Sequence, residues 1–220
     1  HVSSFNLFFP EGPLVRIHFM IARLSEETPA PDRATLEYAV GAIVRTWTDA
    51  LSETLALAHE AGKARHLFER YHRAFSGGYR TRYSPANALE DIRMMEGLSS
   101  DRPLAVDFYA RTGETRPGIG LKVFSLNRPI ALSERVPILE NMGFRVVDER
   151  TSEIHPALAD EARIWLHDMV LERADGEPVS LEAMKGPLES AFLMVMRGIA
   201  ENDGYNALVL VGGLGWREVS

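Results

Sequence analysis

The turn Asn127-Arg128-Pro129 has the residue types and the place in the chain that can hold an anion. It falls where a strand-like run ends and a helix-like run begins, so backbone N–H groups can point outward there. Helix N-termini attract carboxylates through unpaired N–H groups and the helix dipole. A short Asn side chain can tie itself into such a turn. Small amino-acid ligands carry the carboxylate this arrangement accepts. A plain strand-to-helix turn without a ligand explains the same residues, and both readings stand.

Other stretches offer less chemistry. Gly113 to Gly120 (GETRPGIG) lacks the Lys-Ser/Thr of a phosphate loop and joins two strand-like runs, so it reads as a hairpin loop. Gly212-Gly213-Leu214-Gly215 lacks the dinucleotide spacing and reads as flexible linkage or a helix start. The seven histidines are scattered. His59, His66 and His72 lie on helix-like runs without an i, i+4 pair, and no HExxH occurs, so solvated or capping roles are expected. His18 reads as an ordinary strand residue. His167 and Asp168 alternate on a strand, point to opposite faces and cannot form a direct dyad. Tyr79-Arg80-Thr81-Arg82-Tyr83 reads as an exposed basic and aromatic loop. No nucleophile elbow and no convincing carboxylate pair is present. Neither a catalytic residue nor a metal ligand is expected.

The positioning elements follow from hydrophobic period. Phe5 to Phe9 and Leu14 to Leu24 alternate and meet at Pro10-Glu11-Gly12-Pro13, a hairpin. An isolated hairpin is marginal in water, so this one either extends a larger sheet or docks on the main one. After the polar loop Ser25 to Pro31, Asp32 caps a helix to about Ala61, with Leu36, Val40, Ile43, Trp47, Leu51 and Leu55 on one stripe. A second helix spans about Ala64 to Phe75 and ends at Gly77-Gly78. Ser84-Pro85 opens a third, closed by Gly97.

From Leu104 the period becomes two. Strands are expected over Leu104 to Ala110, Ile119 to Leu126, Phe144 to Glu153 and Ala162 to Arg173. A helix follows the Asn127 turn. A later one, capped by Ser180, is kinked or restarted at Lys185-Gly186-Pro187. Both faces of the Ala162 to Arg173 run are apolar, which suggests a central or interface strand and makes Trp165 and Met169 candidate interface residues. The order predicts an α+β, ferredoxin-like antiparallel sheet with helices on one face, beside a helical block and an N-terminal hairpin.

Composition bounds the function. The chain has 220 residues, enough to bury roughly 70% of its surface without metals or disulfides. A formal charge of −7 argues against a general nucleic-acid binder. The absence of Cys excludes a disulfide framework, a thiolate zinc site and a Cys nucleophile, and fits a reducing, cytoplasmic location. No apolar run approaches the ~20 residues that span a bilayer, so no membrane partner is expected. A first residue other than Met, and an end within an apparent helix, lead us to expect a fragment of a longer chain.

Asn127 to Val146 resembles the ACT-domain signature, through Asn127, Arg128, Pro129, Leu132, Leu139, Gly143 and Val146. ACT domains are ferredoxin-like regulatory modules that pair side by side and often bind amino acids. The resemblance implies an effector site at Asn127, Arg128, Pro129, Ile130 and Leu132. Asn127 replaces the usual Asp, and Ile130 replaces a Gly that lets a ligand approach the backbone. A β-branched residue there should block the approach, which favours assembly over sensing.

Gly78 to Leu98, Leu121 to Ile154 and Leu208 to Ser220 resemble the large bacterial NAD-dependent glutamate dehydrogenases. That implies a parent enzyme that deaminates glutamate to 2-oxoglutarate with NAD, self-association through ACT sheets, and contact with a catalytic domain. The substrate-activating Lys and the Gly-rich βαβ unit of such enzymes are not visible. The fragment is therefore expected to be non-catalytic and free of cofactor. The division expected is 1–24 as a hairpin from a preceding ACT-like module, 25–98 as a helical block, 99–205 as the ACT-like domain and 206–220 as the start of a link. An Arg-bearing phosphate loop of the acylphosphatase kind is a poor match to the Arg128 turn.

Overall fold

The computed structural model describes residues 2–8, 16–21, 32–111, 118–157 and 162–219. The turn at 10–13, the loop at 25–31 and most of the glycine-rich stretch 113–120 lie outside them. The chain forms two compact units, His1–Arg45 and Thr46–Ser220. In the first, β1 (Val2–Phe8) pairs antiparallel with β2 (Arg16–Ile21), and α1 (Arg33–Val44) starts where Asp32 accepts a hydrogen bond from the Thr35 N–H.

The long helix expected over 32–61 is two helices. Thr46 and Asp49 cap each other's N–H groups, the Thr46 N–H donating to Asp49 at 2.9 Å. This reciprocal cap restarts the chain as α2 (Trp47–Ala58). Then come α3 (Ala61–Tyr71), α4 (Gly77–Arg82) and α5 (Pro85–Met95). Tyr79 to Arg82 are thus helical, and Tyr83 is the extended residue that ends the helix. Ser76 accepts from the Tyr79 N–H, so the two glycines begin a helix instead of ending one. Ser84 and Pro85 open α5 as expected.

β3 (Leu104–Arg111), β4 (Gly118–Leu126), β5 (Phe144–Ile154) and β6 (Ile164–Arg173) form one antiparallel sheet in the order β3-β4-β6-β5. α6 (Leu132–Asn141) connects β4 to β5, with β6 inserted between those strands. This is the split β-α-β unit of a ferredoxin-like fold, and β3 closes the sheet beside β4. α7 (Leu181–Met196) runs unbroken through Pro187, followed by a 3₁₀ turn, α8 (Ala207–Gly212) and α9 (Trp216–Val219).

Strand alternation sends side chains to two cores. Val106, Phe108, Leu121, Val123, Met169 and Leu171 pack with α6, α7 and α8. Phe124, Ile154, Ile164 and Leu166 pack with residues of α2, α3, α4 and α5. Helices therefore cover both faces of the sheet, α2 to α5 lying on the one opposite α6 and α7. Residues 119–125 of β4 are buried without alternation for this reason.

Candidate functional site

The Asn127 turn is held from the strand that follows it in space. Asn127 has φ 62°, a left-handed conformation that Asn tolerates better than most residues. Its N–H donates to the Arg163 carbonyl at 2.7 Å, and its Oδ1 accepts from the Arg163 N–H at 3.1 Å. The Asn side chain thus ties the turn to the entry of β6, not to the turn itself. Arg128 pairs with Glu134 at 3.1 Å, and Glu134 also accepts from the Ala131 N–H at 3.2 Å. Ser125 donates to the Arg128 carbonyl at 2.6 Å. Pro129 and Leu132 are exposed.

Ile130 is 2% exposed, its side chain sunk in the core under α6 and α7. Its backbone is engaged as well. The Ile130 N–H donates to His167 Nε2 at 3.1 Å. With Nε2 accepting, His167 carries its proton on Nδ1, which lies 2.9 Å from Thr151 Oγ1 and 3.4 Å from Glu149 Oε1. Burial, with the Arg135 charge beside it, pulls His167 down to about 4, against Glu149. The imidazole is neutral at pH 7 and remains an acceptor. Arg135 donates to Glu149 at 3.0 Å, while its Nε and Nη1 are buried with no acceptor among the described residues.

His167 and Asp168 do face opposite sides, and Asp168 belongs to a second polar group under the helical block. Lys122 of β4 donates to Asp91 Oδ1 of α5 at 2.6 Å, and Tyr79 of α4 donates to Asp91 Oδ2 at 2.5 Å. Tyr83 and Tyr109 both donate to Asp168, the latter at 2.7 Å. The Lys122 ammonium lies 4.6 Å from the Tyr83 ring centroid and 5.6 Å from that of Tyr109. Burial, then the Asp91 charge for Tyr79 and the Asp168 charge for Tyr83 and Tyr109, pushes all three phenols up, so they stay donors.

Gly120 makes room for this group. A Cβ at Gly120 would fall 2.0 Å from the Tyr109 ring. Gly120→Ala is expected to push Tyr109 off Asp168 and to cost about 1–3 kcal/mol, read as a lower urea midpoint. An unchanged midpoint would show that the ring can move freely.

Met169 is fully buried in the core under α6 and α7, and Trp165 is half-buried at the start of β6. Met169 is 0% exposed, so in this fold it offers no surface to a second copy. Gly212 ends α8, Gly213 and Gly215 lie between α8 and α9, none of the three follows a strand, and Gly118 and Gly120 lie within β4. These residues do not fit a dinucleotide. Among the described residues, no group of three or more His, Asp or Glu side chains could hold a metal ion, and no helix is long and apolar enough to cross a membrane. The sequence reading missed the contacts of His167 and Lys122. A lysine within the apolar run Leu121 to Leu126 was the one local signal of a buried partner.

Residues 103–184 match the family described as "Glutamate dehydrogenase, ACT3 domain", and residues 54–98 match "Glutamate dehydrogenase, helical motif 2". The chain is 33% identical over 218 residues to an NAD-specific glutamate dehydrogenase of Halomonas elongata, and 32% identical over 217 residues to one of Pseudomonas aeruginosa. Each alignment takes in 99% of this chain and 13% of the relative. An NAD-specific glutamate dehydrogenase of Mycobacterium tuberculosis is 26% identical over 234 residues, taking in 98% of this chain and 14% of the relative. The chain thus spans about 13% of the length of the first two relatives.

Proposed function

Because this chain belongs to the glutamate dehydrogenase family, carrying its ACT3 domain and helical motif 2, we propose that it is a non-catalytic assembly and regulatory region of a cytoplasmic NAD-dependent glutamate dehydrogenase. The whole protein would convert L-glutamate to 2-oxoglutarate and ammonia with NAD, using residues outside this chain. The observation that weighs against effector sensing at the turn is the Ile130 N–H bonded to His167 Nε2. A backbone donor that a carboxylate effector would need already has an internal acceptor. A small effector must break that bond before it gains its own, which lowers its net affinity.

The assembly role rests on an open sheet edge. β5 is an edge strand, and Val147 at its bulge is 53% exposed. Unpaired edge groups can add a second sheet. Sedimentation of the chain should show self-association that Val147→Lys weakens. A monomer at every concentration, with or without the substitution, would remove the assembly role.

A second reading, amino-acid sensing at Asn127 to Leu132, is favoured by the two buried Arg135 nitrogens without an acceptor. An effector carboxylate could take them if His167 swung away. The amide signal of Ile130 distinguishes the readings. It should stay unmoved when amino acids are titrated into the chain, whereas a saturable shift would favour sensing. Trp165 stays a proposed interface residue. Residues 99–205 form the proposed ACT-like domain and 206–220 the proposed link.

A further inference from the structure

The second polar group floors a cleft of about 580 Å³ between α4, α5 and the outer face of the sheet. Lys122 and Asp168 stand directly opposite each other across β4 and β6, on the same face. Opposite charges in that position normally pair. Here Lys122 turns to Asp91, and Asp168 is held by the hydroxyls of Tyr83 and Tyr109.

Asp168 therefore keeps acceptor capacity, and Lys122, although 7% exposed and set against the Tyr83 and Tyr109 rings, lines the same cleft. An ammonium has three N–H donors, and Lys122 has one acceptor among the described residues. A carboxylate can accept about four hydrogen bonds, and Asp168 receives two from protein hydroxyls. Most of the other acids lining the cleft have cations of their own. Asp107 pairs with Lys185 at 2.5 Å, Asp148 with Arg150 at 3.2 Å and Glu90 with Arg93 at 2.7 Å. Arg82 and Arg111 also line it.

A simple anion placed on Lys122 would face Asp91 and Asp168. A simple cation placed on Asp168 would face Lys122. Either meets a like charge in a partly desolvated site, which is costly. A ligand carrying both charges avoids both repulsions. We propose that this cleft binds a small zwitterion, with its carboxylate on Lys122 and its ammonium on Asp168. Tyr83 and Tyr109 hold Asp168 at a fixed distance from Lys122 and so select the ligand's charge separation. The ligand would touch α5 and the sheet together. It would bias their arrangement only by binding one arrangement more tightly.

The test is an NMR titration of the whole chain, followed at the rings of Tyr83 and Tyr109. Glycine, β-alanine and γ-aminobutyrate step the charge separation, while acetate and methylammonium supply each charge alone. At least one zwitterion should saturate, with each half-ligand at least about tenfold weaker. Asp168→Asn and Lys122→Met should each weaken binding by about tenfold or more. Should Lys122→Met fail to fold, Asp168→Asn decides alone, since it is near-isosteric and keeps an acceptor for one tyrosine. The proposal is overturned if no zwitterion saturates, if a half-ligand binds equally well, or if Asp168→Asn binds like the parent chain. Because assembly is read by sedimentation and the turn by the Ile130 amide, either proposal can fail without the other.

Discussion

Lys122→Met should destabilise the chain by about 3–5 kcal/mol, and adding Asp91→Leu should restore most of that loss. The two side chains are 7% and 2% exposed, and they meet at 2.6 Å between β4 and α5. Burial pushes the Asp91 carboxyl up even with Lys122 and Tyr79 holding it down. Removing Lys122 leaves a buried carboxylate with one hydroxyl donor. Removing both charges leaves an apolar contact between α5 and β4 but takes the acceptor from the buried Tyr79 hydroxyl, so the recovery is incomplete.

The sign of the pH effect follows. Without Lys122, the folded-state pKa of Asp91 rises further above its unfolded value of about 3.9. Such a group favours the folded state at low pH and loses that advantage as pH rises. The deficit of Lys122→Met should thus be larger at pH 7 than at pH 5. Urea denaturation of both single variants and the double at the two pH values checks this. Equal, additive losses would show that the pair contributes no coupling across the interface.

Acidification should weaken the fold through His167. Its folded pKa is about 4, against an ordinary 6.5. Between those values the unfolded chain takes a proton that the folded chain refuses. The contribution is complete above pH 6.5 and is lost as pH falls toward 4. At about 1.4 kcal/mol per pKa unit, that amounts to about 3 kcal/mol. The physical event is specific. A proton on Nε2 turns an acceptor into a donor facing the Ile130 N–H.

Glu149 acts in a lower window. Burial pushes it up, but Thr151, Arg135 and His167 together hold it below its ordinary 4.5. Its stabilisation is present above 4.5 and is lost below it. His167→Gln keeps an acceptor and does not titrate. It should flatten the stability profile between pH 6.5 and 4.5, and the Ile130 amide shift of the folded chain should lose its titration near pH 4. A profile identical to that of the parent chain would place the acid sensitivity elsewhere.

Local rules read well in the sequence. Asp32, Ser84 and Pro85 open helices because capping uses side chains within three residues of the N–H groups they serve. Strand alternation located β3 to β6, and their order with α6 implied the ferredoxin-like sheet. The capping pairs that split the first long helix and began α4 were also local, yet one continuous apolar stripe and a glycine pair outweighed them.

The site divides differently. Residue types and spacing identified the Asn127 turn, and alternation put His167 and Asp168 on opposite faces. Nothing nearby in the chain said that Ile130 would give its N–H to a residue 37 positions away, or that Lys122 would find Asp91 at a separation of 31. Alternation assigns a side chain to a face, but its partner depends on which helix packs there. Here α6 and α7 took one face and the helical block took the other. The sequence by itself determined an ACT-like turn of glutamate dehydrogenase type. Tertiary packing decided that the turn's donor is already bonded, because it brought a neutral imidazole beneath it.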